Sequence, residues 1–112
     1  MRERHGDGES YFVALEKLLT GNPRQSVWVH HASEDGRFSA GVWHSEIGKW
    51  QIRYAEDEYC RMVESISVIT TSDGAAVTVR AGDALVIPRG FVGTWEVLQP
   101  TLKHFVIHEP DA

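Results

Sequence analysis

Apolar and polar positions fall into short runs along most of this chain, and the runs read as strands rather than helices. Val27-Trp28-Val29-His30, residues 38–43 and Trp50-Gln51-Ile52-Arg53-Tyr54 are rich in aromatic and β-branched side chains. The turn signals Glu34-Asp35-Gly36 and Glu46-Ile47-Gly48 bracket them, which predicts antiparallel strands. Similar runs continue at 59–63, 65–70, 76–80, 84–87, 92–97 and 103–108. Ser72-Asp73-Gly74, Ala81-Gly82-Asp83 and Gln99-Pro100 supply turns between several of them. Residues 82–97 hold the sharpest version of the pattern. Leu85-Val86-Ile87 is a buried-strand run, Pro88 removes a ladder donor, and Gly90 supplies the freedom of a tight corner. Beyond the corner, Gly93, Trp95 and Val97 share one face of a strand while Val92, Thr94 and Glu96 share the other.

One stretch departs from this rhythm. Tyr11, Phe12, Ala14, Leu15, Leu18 and Leu19 recur at helical spacing, with Ser10 as an N-cap and Thr20-Gly21-Asn22-Pro23 as a stop, so a short helix is expected there. Residues 1–9, polar and glycine-containing, are expected to be a loose arm. Many short strands with regular turns make a sandwich or barrel.

Size and charge narrow the partners. The 112 residues, 42% of them hydrophobic, suffice for one domain with one core. Eleven Lys and Arg against sixteen Asp and Glu give a net charge of -5, and the basic residues are scattered singly. A nucleic-acid surface is therefore not expected. No run approaches the ~20 apolar residues of a membrane helix. Cys60 is the single cysteine, so no internal disulfide forms, which fits a reducing cytoplasm.

Gly41-Val42-Trp43, residues 54–60, Val63-Glu64, Gly82-Asp83-Ala84 with Pro88-Arg89-Gly90, and Gly93-Thr94-Trp95-Glu96-Val97 through Lys103-His104 resemble the small cupins of the ureidoglycine aminohydrolase-like group, to which the ethanolamine-utilisation cupins are kin. The resemblance runs from about residue 41 to 107, and the order of its motifs is more specific than any one of them. It implies a double-stranded β-helix, or jelly-roll barrel, with a ligand pocket in its mouth, in a protein that is usually a homodimer. On this reading residues 1–40 form the arm, the short helix and edge strands packed on the barrel, and residues 41–112 form the barrel itself, all within one domain. Relatives carry glycine after the glutamate of the Val63-Glu64 segment. This chain has Ser65, which leaves the local turn geometry open.

The resemblance also locates the metal ligands that some cupins use. Their glutamate falls on Glu58, but their histidine positions are occupied by Ile52, Tyr54 and Gly93. A lone carboxylate does not hold a transition metal, which generally takes three or more protein ligands, so neither Mn nor Zn is expected there. A different set from His30, His31, His44, His104 and His108 is the remaining route. Adjacent His30 and His31 point to opposite faces of a strand. His104 and His108 share a face but stand ~13 Å apart along an extended strand. Ordinary surface or hydrogen-bonding roles account for these histidines without a metal.

With the family's strand parity, Ile52, Tyr54, Glu58, Cys60 and Met62 point inward from one side, and Gly93, Trp95 and Val97 from another. The expected pocket is apolar and aromatic-walled with few polar groups, a usual small-molecule site. Gly93 is expected to open room where a histidine would project. Trp95 and Tyr54 can stack on a ligand and orient it through an N–H and an O–H. Glu58, desolvated, is expected to have a raised pKa and to serve as a general acid or base. Glu56 and Asp57 are expected as corner residues, and Glu56, which shares the parity of Glu58, is a candidate for the pocket rim. Lys103, at a position the family fills with a basic residue, can pair with Glu58 or anchor a substrate carboxylate if it points inward; otherwise it is a solvated strand lysine. Cys60 invites a nucleophile reading, although a lone buried cysteine commonly behaves as a small hydrophobe. Trp43 and Trp50 are core or pocket wall.

Three functions remain in play. The first is a metal-poor cupin that binds a small metabolite. The second is an enzyme of ureidoglycine aminohydrolase-like or other small-metabolite-processing type, using Glu58 as acid, base or metal ligand. The third is a structural dimer with a vestigial cavity.

Overall fold

Two long bent strands carry the architecture of the computed structural model, which describes residues 8–110. The expected N-terminal arm lies, for residues 1–7, outside the described residues. Within them the strands are β1 (Glu9–Phe12), β2 (Leu18–Thr20), β3 (Arg24–Ala32), β4 (Phe38–Ser45), β5 (Gly48–Arg53), β6 (Asp57–Thr71), β7 (Ala76–Arg80), β8 (Ala84–Ile87) and β9 (Val92–His108). Every described pairing is antiparallel. The C-terminal half of β9 lies between β4 and the start of β6, and β3 and β8 extend that layer. The N-terminal half of β9 lies between β5 and the end of β6, with β2 and β7 beyond. The sheet thus curls into two facing layers that share β6 and β9, the jelly-roll barrel that the resemblance implies.

Each long strand was expected as two. Residues 59–63 and 65–70 form one strand because the chain bends through register shifts between Met62 and Ser67 instead of reversing. A bulge of this kind bends a strand without ending it. Pro100, expected in a turn, lies within β9 on its exposed side, where the register passes from Leu102 opposite Glu64 to Gln99 opposite Ile66. A missing N–H is tolerated at such an irregularity. The bend is filled by hydroxyls: Ser67 Oγ lies 2.8 Å from Thr101 Oγ1, and Ser65 Oγ donates to the Val79 carbonyl at 3.1 Å. Ser65, where the resemblance places a glycine, thus satisfies a backbone acceptor at the bend.

The short N-terminal helix is not present. Residues 15–17 make a single 3₁₀ turn, flanked by β1 on β3 and β2 on β5. The reason is burial. Tyr11, Phe12, Leu15 and Leu19 are all exposed, so the helical stripe has no layer to cover, whereas the edges of β3 and β5 offer ladder hydrogen bonds to an extended chain. No helix among the described residues is long and apolar enough to cross a membrane.

Alternation along β6 sets the interior. Glu58, Cys60 and Met62 are buried while Asp57, Tyr59 and Arg61 are exposed. Cys60 and Met62 meet Trp43, Trp50, Ile69, Trp95, Val97 and Phe105 in the main cluster. The expected corner at Pro88-Arg89-Gly90 reverses the chain with Gly90 at φ 91°, a conformation that favours glycine. It is tied to the β5–β6 connection: Gly90 N–H donates to the Tyr54 carbonyl at 2.8 Å, Tyr54 N–H to Phe91 at 2.9 Å, and Arg89 N–H to Asp57 Oδ1 at 2.8 Å. That connection carries Tyr54 and Glu56 and leads into Glu58.

Candidate functional site

Between the layers, at one end of the barrel, lies a cavity of about 230 Å³. Six of its thirteen lining residues are aromatic: Trp43 from β4, Trp50 from β5, Trp95 and Phe105 from β9, Tyr54 from the corner and Tyr11 from β1. Its ionisable groups are Glu56, Glu58 and Lys103 beside the two tyrosines, and Gln25 adds an amide.

The polar centre is a sealed cluster. Lys103 Nζ donates to Glu58 Oε2 at 2.7 Å, with the side chains only 6% and 7% exposed. Cys60 Sγ donates to the same oxygen at 2.9 Å, and Lys103 Nζ stands 3.4 Å from that sulfur. The ammonium also sits over two indoles, 4.7 Å from the Trp43 ring centre and 4.4 Å from that of Trp95. These rings meet edge to face at 5.7 Å. A desolvated cation gains from both ring faces as well as from the carboxylate. Trp43 Nε1–H in turn donates to the Tyr11 hydroxyl at 2.8 Å.

This pairing reverses one expectation. Burial alone raises the Glu58 pKa, but the Lys103 charge and hydrogen bonds from Cys60, Lys103 and Tyr54 outweigh it, and the carboxyl is held below its ordinary value. Glu58 is therefore a carboxylate at neutral pH, not a raised acid. Burial opposes the charge on Lys103, yet the facing Glu58 carboxylate pushes its pKa above the ordinary lysine value. Burial drives the Cys60 thiol up to about 12, which removes the thiolate that a nucleophile requires. Tyr54 is raised by burial too. At the rim, burial followed by the neighbouring Glu109 and Glu58 charges raises Glu56.

The structure brings Tyr54, Glu56, Glu58, Trp95 and Lys103 to the cavity, with Cys60 bonded beneath Glu58. Gly93 stands apart. It borders a different, open groove with Lys17, Arg53 and Thr70. A Cβ at Gly93 would collide with the Thr70 carbonyl oxygen, so the glycine serves close strand approach and opens no room beside Glu58. Five cavity residues escaped sequence reasoning: Tyr11, Gln25, Val27, Phe105 and Ile107. Tyr11 was hidden by the helical reading of its segment. Gln25 shares strand parity with Val27, and this polar position on an inward face was the available signal.

Gln25 Nε2 and Trp95 Nε1 are buried and have no hydrogen-bond partner among the described residues. Gln25 is 4% exposed and Trp95 1%.

A divalent metal does not fit the residues present. The Glu58 carboxylate already holds the Lys103 ammonium, and the positions that the resemblance gives to histidine ligands carry Ile52, Tyr54 and Gly93. Among the described residues no group of three or more His, Cys, Asp or Glu gathers at ligating distance. His104 and His108 alternate with Lys103, Phe105 and Ile107 on β9 and do not line the cavity; His30, His31 and His44 do not either.

Among curated proteins none matches the sequence significantly. Solved structures share the fold. The EutQ protein of Clostridium difficile superposes with a TM-score of 0.70 at 18% identity, covering 80% of this chain and 71% of its own. A putative ethanolamine utilization protein Q from Salmonella typhimurium gives 0.67 at 15%, covering 95% and 100%. A DUF861-family protein of unknown function from Pseudomonas syringae gives 0.78 at 16% over 88% of this chain, which spans only 44% of that protein. At such identities these likenesses speak to fold alone. The sequence profile of the EutQ-like cupin domain matches residues 32–105, from the end of β3 to the inward Phe105, and on that match this chain belongs to the EutQ-like cupin family.

Proposed function

We propose that the protein binds a small molecule in the aromatic cavity over the Glu58–Lys103 pair. The observation that carries this reading is the cavity itself: about 230 Å³ walled by indole and phenol rings, with a few polar groups converging on it. A purely structural barrel gains nothing from a desolvated ion pair, which commonly costs more than an apolar packing of the same volume. Tyr54, Glu56, Trp95 and Lys103 are the contact residues in this reading, and Cys60 acts through Glu58. If a reaction is catalysed, Glu58 enters it as a base, because Lys103 keeps the carboxyl ionised; it is not the acid. A homodimer is supported by an outward apolar row in which exposed Tyr59 lies between its partners Val86 and Val106. The single free cysteine agrees with a cytoplasmic protein.

Thermal-shift measurement against ureides, amino alcohols and small carboxylates tests the reading, since a ligand of the folded state must raise its stability. Binding that raises the melting temperature and disappears in Trp95→Phe or Tyr54→Phe supports it. Failure of all three classes would point instead to a vestigial cavity.

A further inference from the structure

We propose that the cavity selects a small uncharged carbonyl compound, of amide type, in preference to an anion or a cation. This deepens the small-molecule reading and rests on it. Three independent observations converge on that chemistry.

The first is the unmatched donors. The indole N–H of Trp95, a cavity-wall residue, is a donor with no acceptor capacity, and it is buried without a partner among the described residues. Gln25 adds a second buried N–H group in the same wall. Native interiors rarely leave such donors unmet, so the missing element carries an acceptor lone pair.

The second is the position of the cation. The place between the Trp43 and Trp95 faces, beside a carboxylate, is what an ammonium ligand would seek. Lys103 already fills it, 2.7 Å from Glu58. A second cation would meet the first at close range.

The third is the balance of charge. Against the single ammonium of Lys103, the lining carries two carboxyl groups, Glu56 and Glu58. A ligand carboxylate would add a negative charge to a site already leaning that way, at a heavy desolvation cost. A neutral carbonyl satisfies the donors without that penalty. About 230 Å³ is room for roughly eight waters at ~30 Å³ each, which holds the ligand to a small molecule.

Four probes of one carbon skeleton separate the classes: propionamide, propionate, propylamine and 1-propanol. The readout is the indole N–H signals of the four tryptophans in ¹H–¹⁵N correlation spectra. Trp95 is identified by through-bond assignment, or by its loss in Trp95→Phe. Propionamide should shift the Trp95 indole signal saturably and bind about tenfold or more tightly than the other three; Gln25→Met, which keeps the bulk without the amide, should weaken it by about tenfold. Tighter binding of propionate or propylamine at this cavity overturns the proposal while leaving the small-molecule reading intact. The same holds if propionamide binds equally to wild type and Gln25→Met and leaves the Trp95 indole unmoved. If none of the four perturbs any cavity residue, the small-molecule reading fails and this inference with it.

Discussion

Lys103 Nζ and Glu58 Oε2 lie 2.7 Å apart in the interior of the barrel, and each is the reason the other can remain charged there. Removing one partner leaves an uncompensated buried charge. Lys103→Met should cost about 3–5 kcal/mol in urea unfolding, Glu58→Gln a similar amount, and the double variant less than the sum. In Lys103→Met the burial of Glu58 is opposed only by the Cys60 and Tyr54 hydrogen bonds, so its carboxyl should titrate higher than in the wild type in a carbon-detected NMR titration. Additive costs and an unmoved carboxyl would show that the pair is not coupled.

The same pair sets the acid limit of stability. The folded pKa of Glu58 lies below its ordinary 4.5, so its contribution is present above that value and is lost as pH falls from there through the folded value. Lys103 has a folded pKa above its ordinary 10.5, so its contribution is present below that value and is lost as pH rises beyond it. Stability measured against pH should be level across neutrality and fall below about pH 4.5. A maximum below pH 4 would contradict the paired assignment.

Cys60 marks the alkaline side. Its unfolded thiol ionises near 9.0, whereas in the fold it stays protonated to about 12, so stability should decline from about pH 9 upward. Cys60→Ala should move the onset of that decline toward the ordinary values of Tyr54 and Lys103, 10.0 and 10.5. A thiol reagent at pH 8 should leave the native protein unmodified and react fully after denaturation. Rapid native labelling would mean that the cluster opens.

Gly93 should tolerate no side chain. Gly93→Ala puts a Cβ against the Thr70 carbonyl on the neighbouring strand, and backbone on both sides leaves little to yield. A loss of about 3 kcal/mol or more is expected. Full stability in Gly93→Ala, with binding lost, would restore the idea that the glycine makes room for a ligand.

Local pattern alone carried the barrel. Alternation at Glu58-Tyr59-Cys60-Arg61-Met62, the corner at Pro88-Arg89-Gly90 and the inward row at Trp95 and Val97 depend on strand geometry, in which side chains change face at every residue. The motifs around them identified the cupin. The tertiary structure decided what local pattern could not. Whether residues 10–20 coil or extend depends on the free edges of β3 and β5, not on their own spacing. Whether Pro100 ends a strand or bends it depends on the register of β6 opposite. The state of Glu58 turned on a partner 45 residues away whose facing could not be counted across that bend. Burial by itself would have made Glu58 an acid; Lys103, brought over the Trp43 and Trp95 rings by the folding of β9, makes it a carboxylate, because charge stabilisation at contact distance outweighs desolvation only when the two are placed together.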